Sequence, residues 1–301
     1  MDVLSRDEYN VQHLRTILKI ATSLGITPRY DFEVKKILSG TSHRIYAVVF
    51  GAIMASLTIL EVKNRADVHY RKISTTEIVI ELSCTCLVLI FCLLAIVNVN
   101  IFKRKQFETL LTHLQEINDV VTMHRTKQQK RYKNMYIRIL ILILYCISIV
   151  VTHINTTGLL SYYISDCFLM SYKVIALFIM ITTVQCLYNG HLRINRILVM
   201  ITKRYANIRR SKVEVVTRDS NCKWILKTVI DLRDRYTKYV ECVELFNSIF
   251  GCMLLINILC NISFYKQIIC LIMKVNFKEQ DVTMKISIVS CYTLYLTYPV
   301  S

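Results

Sequence analysis

The chain has 301 residues, a net charge of +17, 54% hydrophobic residues and a mean hydropathy of +0.41, with only two Pro and six Gly. A soluble domain does not carry several separate charge-free runs of nearly 20 residues, so the composition excludes an ordinary globular protein and points to a helical membrane protein. The basic residues sit between the apolar runs, which makes them positive-inside loops and argues against a nucleic-acid partner.

Residues 1–12 are polar and charged and lack the apolar core of a secretory signal, so none is expected. Across 1–44, Val11, Leu14, Ile17, Leu18, Ile20 and Ala21 recur near a 3.6 period. Gly25 and Pro28 break that helix, and a second short helix is expected before Arg44. The predicted spans are 45–62, 78–102, 136–157, 168–190, 242–264 and 286–301. The connector 103–135 reads as an amphipathic helix around Phe107, Leu110, Leu111, Leu114 and Ile117. The connector 190–241 carries thirteen of the 38 Lys and Arg residues, and 265–285 is expected to be an outer or interfacial piece. The expected fold is therefore all-α: a polytopic bundle of six spans over 45–301, a cytoplasmic segment 1–44, and long cytoplasmic helical extensions.

Orientation follows from charge. With the N-terminus inside, segments 1–44, 103–135 and 190–241 hold 28 Lys and Arg residues, against 8 in 63–77, 158–167 and 265–285. Two sequons, Asn155-Thr156-Thr157 and Asn261-Ile262-Ser263, fall at outward ends under this topology. An inside N-terminus and six spans exclude a G-protein-coupled receptor. Multi-pass insertion in the plasma membrane is expected. The twelve Cys show no zinc spacing and mostly lie in apolar runs, where a free Cys acts as a small apolar filler, so no disulfide is placed.

No G-x-G-x-x-G, G-K-[ST] or H-E-x-x-H motif occurs, so neither an enzyme nor a cofactor or metal is expected. Polar groups inside spans are costly and mark functional candidates. Glu81, Thr152, His153, Tyr172 and Lys173 fall in the outer halves and are the candidate ligand contacts. His153 has Asp166 or Glu81 as a candidate partner across helices. Structural roles compete at each position: Lys173 snorkelling to headgroups, and Tyr162, Tyr163 and Tyr172 forming an aromatic belt. Trp224, Ile225, Leu226, Val229, Ile230, Leu232, Tyr236 and Val240 make an apolar stripe leading into the fifth span. Packing within the chain on Leu192, Ile197, Leu198 and Ile201 is one reading of it. A subunit anchor carried by Trp224, Val229, Leu232 and Tyr236 is the other.

Three features resemble the insect gustatory receptors, a branch of the insect chemoreceptor superfamily. They are the Gly25-x-x-Pro28 turn ahead of the first span, the inside N-terminus with long basic second and fourth connectors, and the entry to the fifth span, Val243-Glu244-Leu245-Phe246-Asn247-Ser248-Ile249-Phe250-Gly251. The resemblance implies a ligand-gated cation-channel subunit that detects a small extracellular tastant. It also implies ligand pockets between spans in the outer leaflet, and a homo- or hetero-tetramer with related subunits. The family signature, Thr-Tyr, five apolar residues, then Gln-Phe, belongs to a seventh span that lines the ion pathway. Here Thr297-Tyr298 is followed by Pro299, so the dipeptide reads as chance and no seventh span is expected in this sequence. A truncated gene model, a splice form and a subunit unable to conduct alone are the readings this leaves open. An odorant receptor of the same superfamily, a membrane transporter and a non-conducting regulatory subunit are the alternative functions.

Overall fold

The computed structural model describes residues 7–38, 40–68, 70–72, 74–118, 164–210 and 215–274. The expected spans at 136–157 and 286–301, with Thr152, His153, Tyr162 and Tyr163, lie outside the described residues. Helix α1 (Asp7–Ser23) buries Leu14, Ile17, Leu18 and Ala21, a single face at helical spacing. It ends in a Schellman turn: Ile26 N–H donates to Ala21 O (2.9 Å) and Gly25 N–H to Thr22 O (3.1 Å). Gly25 takes the left-handed conformation this turn requires, at φ +70°.

The short helix expected before Arg44 is instead a β-hairpin. Strand β1 (Tyr30–Asp31) pairs antiparallel with β2 (Lys36–Ile37). The reason is local. Asp31 Oδ1 accepts from the N–H groups of Glu33 (2.8 Å) and Val34 (3.3 Å), which closes a turn rather than a helix. Lys35 completes it at φ 55°.

Helix α2 (Thr41–Val68) and helix α3 (Thr75–Val97) run antiparallel through a 3-10 turn at Tyr70–Lys72. Glu77 closes the first turn of α3 by accepting from Ser74 N–H at 3.1 Å. A π-turn, Asn98–Phe102, joins α3 to α4 (Arg104–Asn118), whose Phe107, Leu110, Leu111, Leu114 and Ile117 are all buried. Helices α5 (Ile164–Arg210) and α6 (Val215–Lys274) are 47 and 60 residues long. At 1.5 Å per residue they reach about 70 and about 90 Å, well beyond a hydrocarbon core of about 30 Å. Residues 265–274, expected in an outer or interfacial piece, continue α6 without a break.

Four helices are long and apolar enough to cross a membrane: Thr41–Asp67, Thr75–Phe102, Ser165–Ala206 and Cys222–Lys266. Helix α3 is central, packing on α2, α5 and α6 through Phe91, Cys92, Ala95 and Ile96. Helix α2 exposes Ile45, Val49, Ile53, Leu57 and Leu60, an apolar outer surface suited to lipid rather than water.

Candidate functional site

The antiparallel run of α2 and α3 puts the last turns of one beside the first turns of the other, and α5 begins at the same end. Glu61 and Arg65 stand four residues apart on α2, which places both on one face. Arg65 is fully buried. Its guanidinium lies 2.7 Å from Asp166 of α5, 2.9 Å from Glu81 of α3 and 3.4 Å from Glu61. The remaining acceptor capacity is engaged as well. Tyr70 Oη donates to Glu81 at 3.2 Å, and Thr85 Oγ1 reaches Asp166 at 3.5 Å. Glu61 accepts from Ser165 N–H (2.7 Å) and from Ser165 Oγ, so a carboxylate caps the N-terminus of α5. Arg65 thus ties three helix ends together.

Two turns further along α5, Tyr172 and Lys173 are both buried. Lys173 points between α3 and α6, its Nζ 5.9 Å from the Phe91 ring and 5.5 Å from the Phe264 ring. Tyr172 turns to α2 and stacks on Phe50, with centroids 5.9 Å apart. Its hydroxyl has no hydrogen-bond partner among the described residues. Phe50 in turn meets Tyr46 and Phe168, each at 6.0 Å. The two buried polar groups thus face different helix contacts, Lys173 towards α3 and α6 and Tyr172 towards α2.

Of the candidate ligand contacts, the structure brings Glu81 to the ion cluster and Tyr172 and Lys173 to the interior, while Thr152 and His153 lie outside the described residues. Lys173 does not snorkel outward, because α5 rotates it into the three-helix contact. Tyr172 does not belong to an outer belt, because its ring packs on Phe50. Glu81 and Asp166, candidate partners of His153, both contact Arg65, and the His153 pairing lies outside the described residues. Arg65 and Glu61 were hidden at the sequence level, because the first span was closed at residue 62 and Arg65 fell into the connector. The clue was their i, i+4 pairing at the edge of an apolar run. Among the described residues, no group of His, Cys, Asp and Glu side chains is arranged to hold a metal ion.

At the opposite end, α5 and α6 form an antiparallel pair with its own seam of Ile194, Ile197 and Ile201 against Ile225, Leu232 and Tyr239. Arg204 lies over the Trp224 ring at 4.2 Å. Of the anchor candidates, Leu232 is therefore spent within the chain and Trp224 carries an arginine. Val229 and Tyr236 remain exposed, as does Leu198, which stands outside the seam. Helix α4 joins the pair through Lys238 Nζ–Glu116 (2.8 Å) and His113 Nδ1–Glu241 (3.3 Å).

No family model matches this sequence, and no curated protein matches it.

Proposed function

We propose that this chain is a chemoreceptor subunit of the gustatory type: a ligand-gated cation-channel subunit of the plasma membrane. It crosses the bilayer six times, with residues 1–44 and the basic connectors 103–135 and 190–241 in the cytosol. A small tastant enters from the outer face, and tighter binding to the open arrangement shifts the closed-to-open equilibrium. The observation that carries this reading is the interior around Tyr172 and Lys173, at the end of the bundle remote from the basic connectors. An amine near Phe91 and Phe264, and a hydroxyl with no hydrogen-bond partner among the described residues near Phe50, are expensive to bury. Exposed Val229 and Tyr236 on the cytosolic hairpin fit a contact with neighbouring subunits of a tetramer.

The test is electrical. The chain is expressed alone and with a related full-length subunit, and a panel of non-volatile plant compounds is applied. Ligand-evoked cation current that Lys173→Met and Tyr172→Phe weaken without loss of surface protein supports the reading. Volatile ligands acting at the same residues point to an odorant receptor. Accumulation of a labelled compound without current contradicts the channel and points to a transporter.

A further inference from the structure

The π-turn Asn98–Phe102 and the first turn of α4 form a fixed corner at the end of an apolar span. Lys103 N–H donates to Asn98 O at 2.7 Å, and Phe107 N–H to Lys103 O at 2.8 Å. Asn98 Nδ2 donates to Ile249 O of α6 at 3.4 Å, and Ser248 Oγ of α6 to Gln106 Oε1 at 3.1 Å, so α6 holds the corner on both sides of the turn. The first turns of α2 reach the same corner by way of Gly25. Asn100 donates to Gly25 O at 2.9 Å, and a Cβ on Gly25 would meet the Tyr46 ring at 3.3 Å and the Ala47 backbone at 3.5 Å.

That meeting brings like charges together. Segments 41–48 and 101–108 hold four cations, Arg44, Lys103, Arg104 and Lys105, and one acid, Glu108. Neither α2 nor α4 has an acid in its first turn. Burial and then the charge of Arg44 push Arg104 below its ordinary value, while Glu108, which also accepts from Ile37 N–H at 3.2 Å, acts the other way. Directly before these cations stands Phe102, 73% exposed, the highest value of any large apolar side chain among the described residues. Ile45 and Val48, next along α2 from Arg44, are exposed as well. Cations bordered by exposed apolar side chains complement an amphiphilic anion, a phosphate attached to acyl chains.

We propose that this corner binds one anionic phospholipid of the adjacent leaflet, with Arg44 and Arg104 on its phosphate, Lys103 and Lys105 beside its headgroup, and Phe102 and Ile45 among its acyl chains. A guanidinium presents paired N–H donors to phosphate oxygens, so two of them from separate helices hold one phosphate. The choline of a zwitterionic lipid would meet Lys103 and Lys105 as a like charge, which selects for the anionic headgroup. A free phosphate answers the cations alone and leaves Phe102 and Ile45 in water. The bound lipid offsets the repulsion between Arg44 and Arg104 and ties α2 to α4. The site faces whichever leaflet lies at this end of the bundle, so the inference stands apart from the receptor reading and from the orientation of the chain.

The experiment is native mass spectrometry of the full chain, purified in detergent and titrated with phosphatidylglycerol or with phosphatidylcholine of the same acyl chains. One phosphatidylglycerol per chain is expected to be retained, at about a tenfold lower concentration than phosphatidylcholine. Arg44→Gln, a change at an exposed position, weakens phosphatidylglycerol retention about fivefold and leaves phosphatidylcholine unchanged. Lys105→Gln, also exposed, gives the same loss and serves if Arg44→Gln does not purify. Phe102→Ser weakens retention of both lipids. Lys203→Gln combined with Lys227→Gln, two exposed cations of the α5–α6 hairpin, changes neither. Glycerol phosphate at matched concentration does not displace the lipid. Equal retention of the two lipids overturns the proposal, as does wild-type retention by both Arg44→Gln and Lys105→Gln. An equal loss in the hairpin variant overturns it in favour of diffuse attraction between a basic surface and any anionic lipid. Displacement by glycerol phosphate overturns it in favour of a site for free phosphate.

Discussion

The buried carboxamide of Asn100 donates to the carbonyl oxygen of Gly25 at 2.9 Å, joining the π-turn after α3 to the turn that ends α1. The same nitrogen lies 3.0 Å from Ile26 O and 2.9 Å from Ile96 O. A residue in the second span thus holds the N-terminal segment against the bundle, at the point where α3 gives way to α4.

Removing that donor leaves three enclosed carbonyls poorly satisfied. Asn100→Ala is expected to cost about 3 kcal/mol. Asn100→Asp is expected to be worse at neutral pH, because an ionised carboxylate only accepts and would face three carbonyl oxygens. Gly25→Ala, which strains a left-handed residue and brings its Cβ to 3.3 Å from the Tyr46 ring, costs about 1 kcal/mol. Thermal unfolding in detergent, with hydrogen exchange across residues 24–27, measures all three.

Helix α4 packs against α5 at Gly190, where an added Cβ would sit 2.7 Å from Ile117 Cγ2. That atom branches from Cβ and has little freedom to retreat. Gly190→Ala is expected to push the helices apart and cost about 2 kcal/mol. Ile117→Ala opens a cavity on its own, yet the double variant is expected to be more stable than the sum of the two single effects. Strict additivity would show that the two residues do not touch.

The α4–α6 pairing carries a defined acid dependence. The hydrogen bond from Lys238 holds the Glu116 carboxyl below its ordinary value of 4.5, with the Lys238 charge adding to the effect and burial opposing it. The backbone donors of Glu33 and Val34 likewise hold Asp31 below 3.8. A lowered folded-state value contributes stability above the unfolded-state titration, and that stability is lost as pH falls through the folded one. Both contributions are therefore complete above about pH 5 and drain away below about pH 4. Both groups face solvent, so the effect is small. In acid unfolding curves, Glu116→Gln is expected to weaken the chain near neutral pH and to make no difference near pH 3.

Tyr172→Phe separates packing from recognition. Its hydroxyl is buried without a partner among the described residues, so the substitution is expected to raise stability by about 1 kcal/mol. If the hydroxyl meets the ligand, the same variant weakens the evoked response. A variant less stable than wild type would mean that the hydroxyl is bonded within the protein.

The parts of the fold written in a repeating pattern were readable in advance. The face of α4 and the charge-free run of α3 are examples, because burial on one side of a helix imposes a period on the sequence. What escaped was set by contacts between distant segments. The β-hairpin at Tyr30–Ile37 depends on Asp31 closing its own turn and on α4, whose Gln115 donates to Phe32 O at 2.7 Å and whose Glu108 accepts from Ile37 N–H at 3.2 Å. Glu81, Tyr172 and Lys173 stood out because polar groups in spans are expensive. Arg65 did not, since one residue in a charged connector looks like any other until Glu81 and Asp166 close around it.

The central claim is that the basic ends of α5 and α6 stand in the cytosol and the Arg65 cluster at the outer face. A short epitope inserted between Arg210 and Val215, where α5 gives way to α6, tests this directly in cells expressing the full chain. The account predicts antibody binding only after the plasma membrane is permeabilised, with a second epitope at Ala66–Asp67 reached on intact cells. Staining of the 210–215 epitope on intact cells would contradict it.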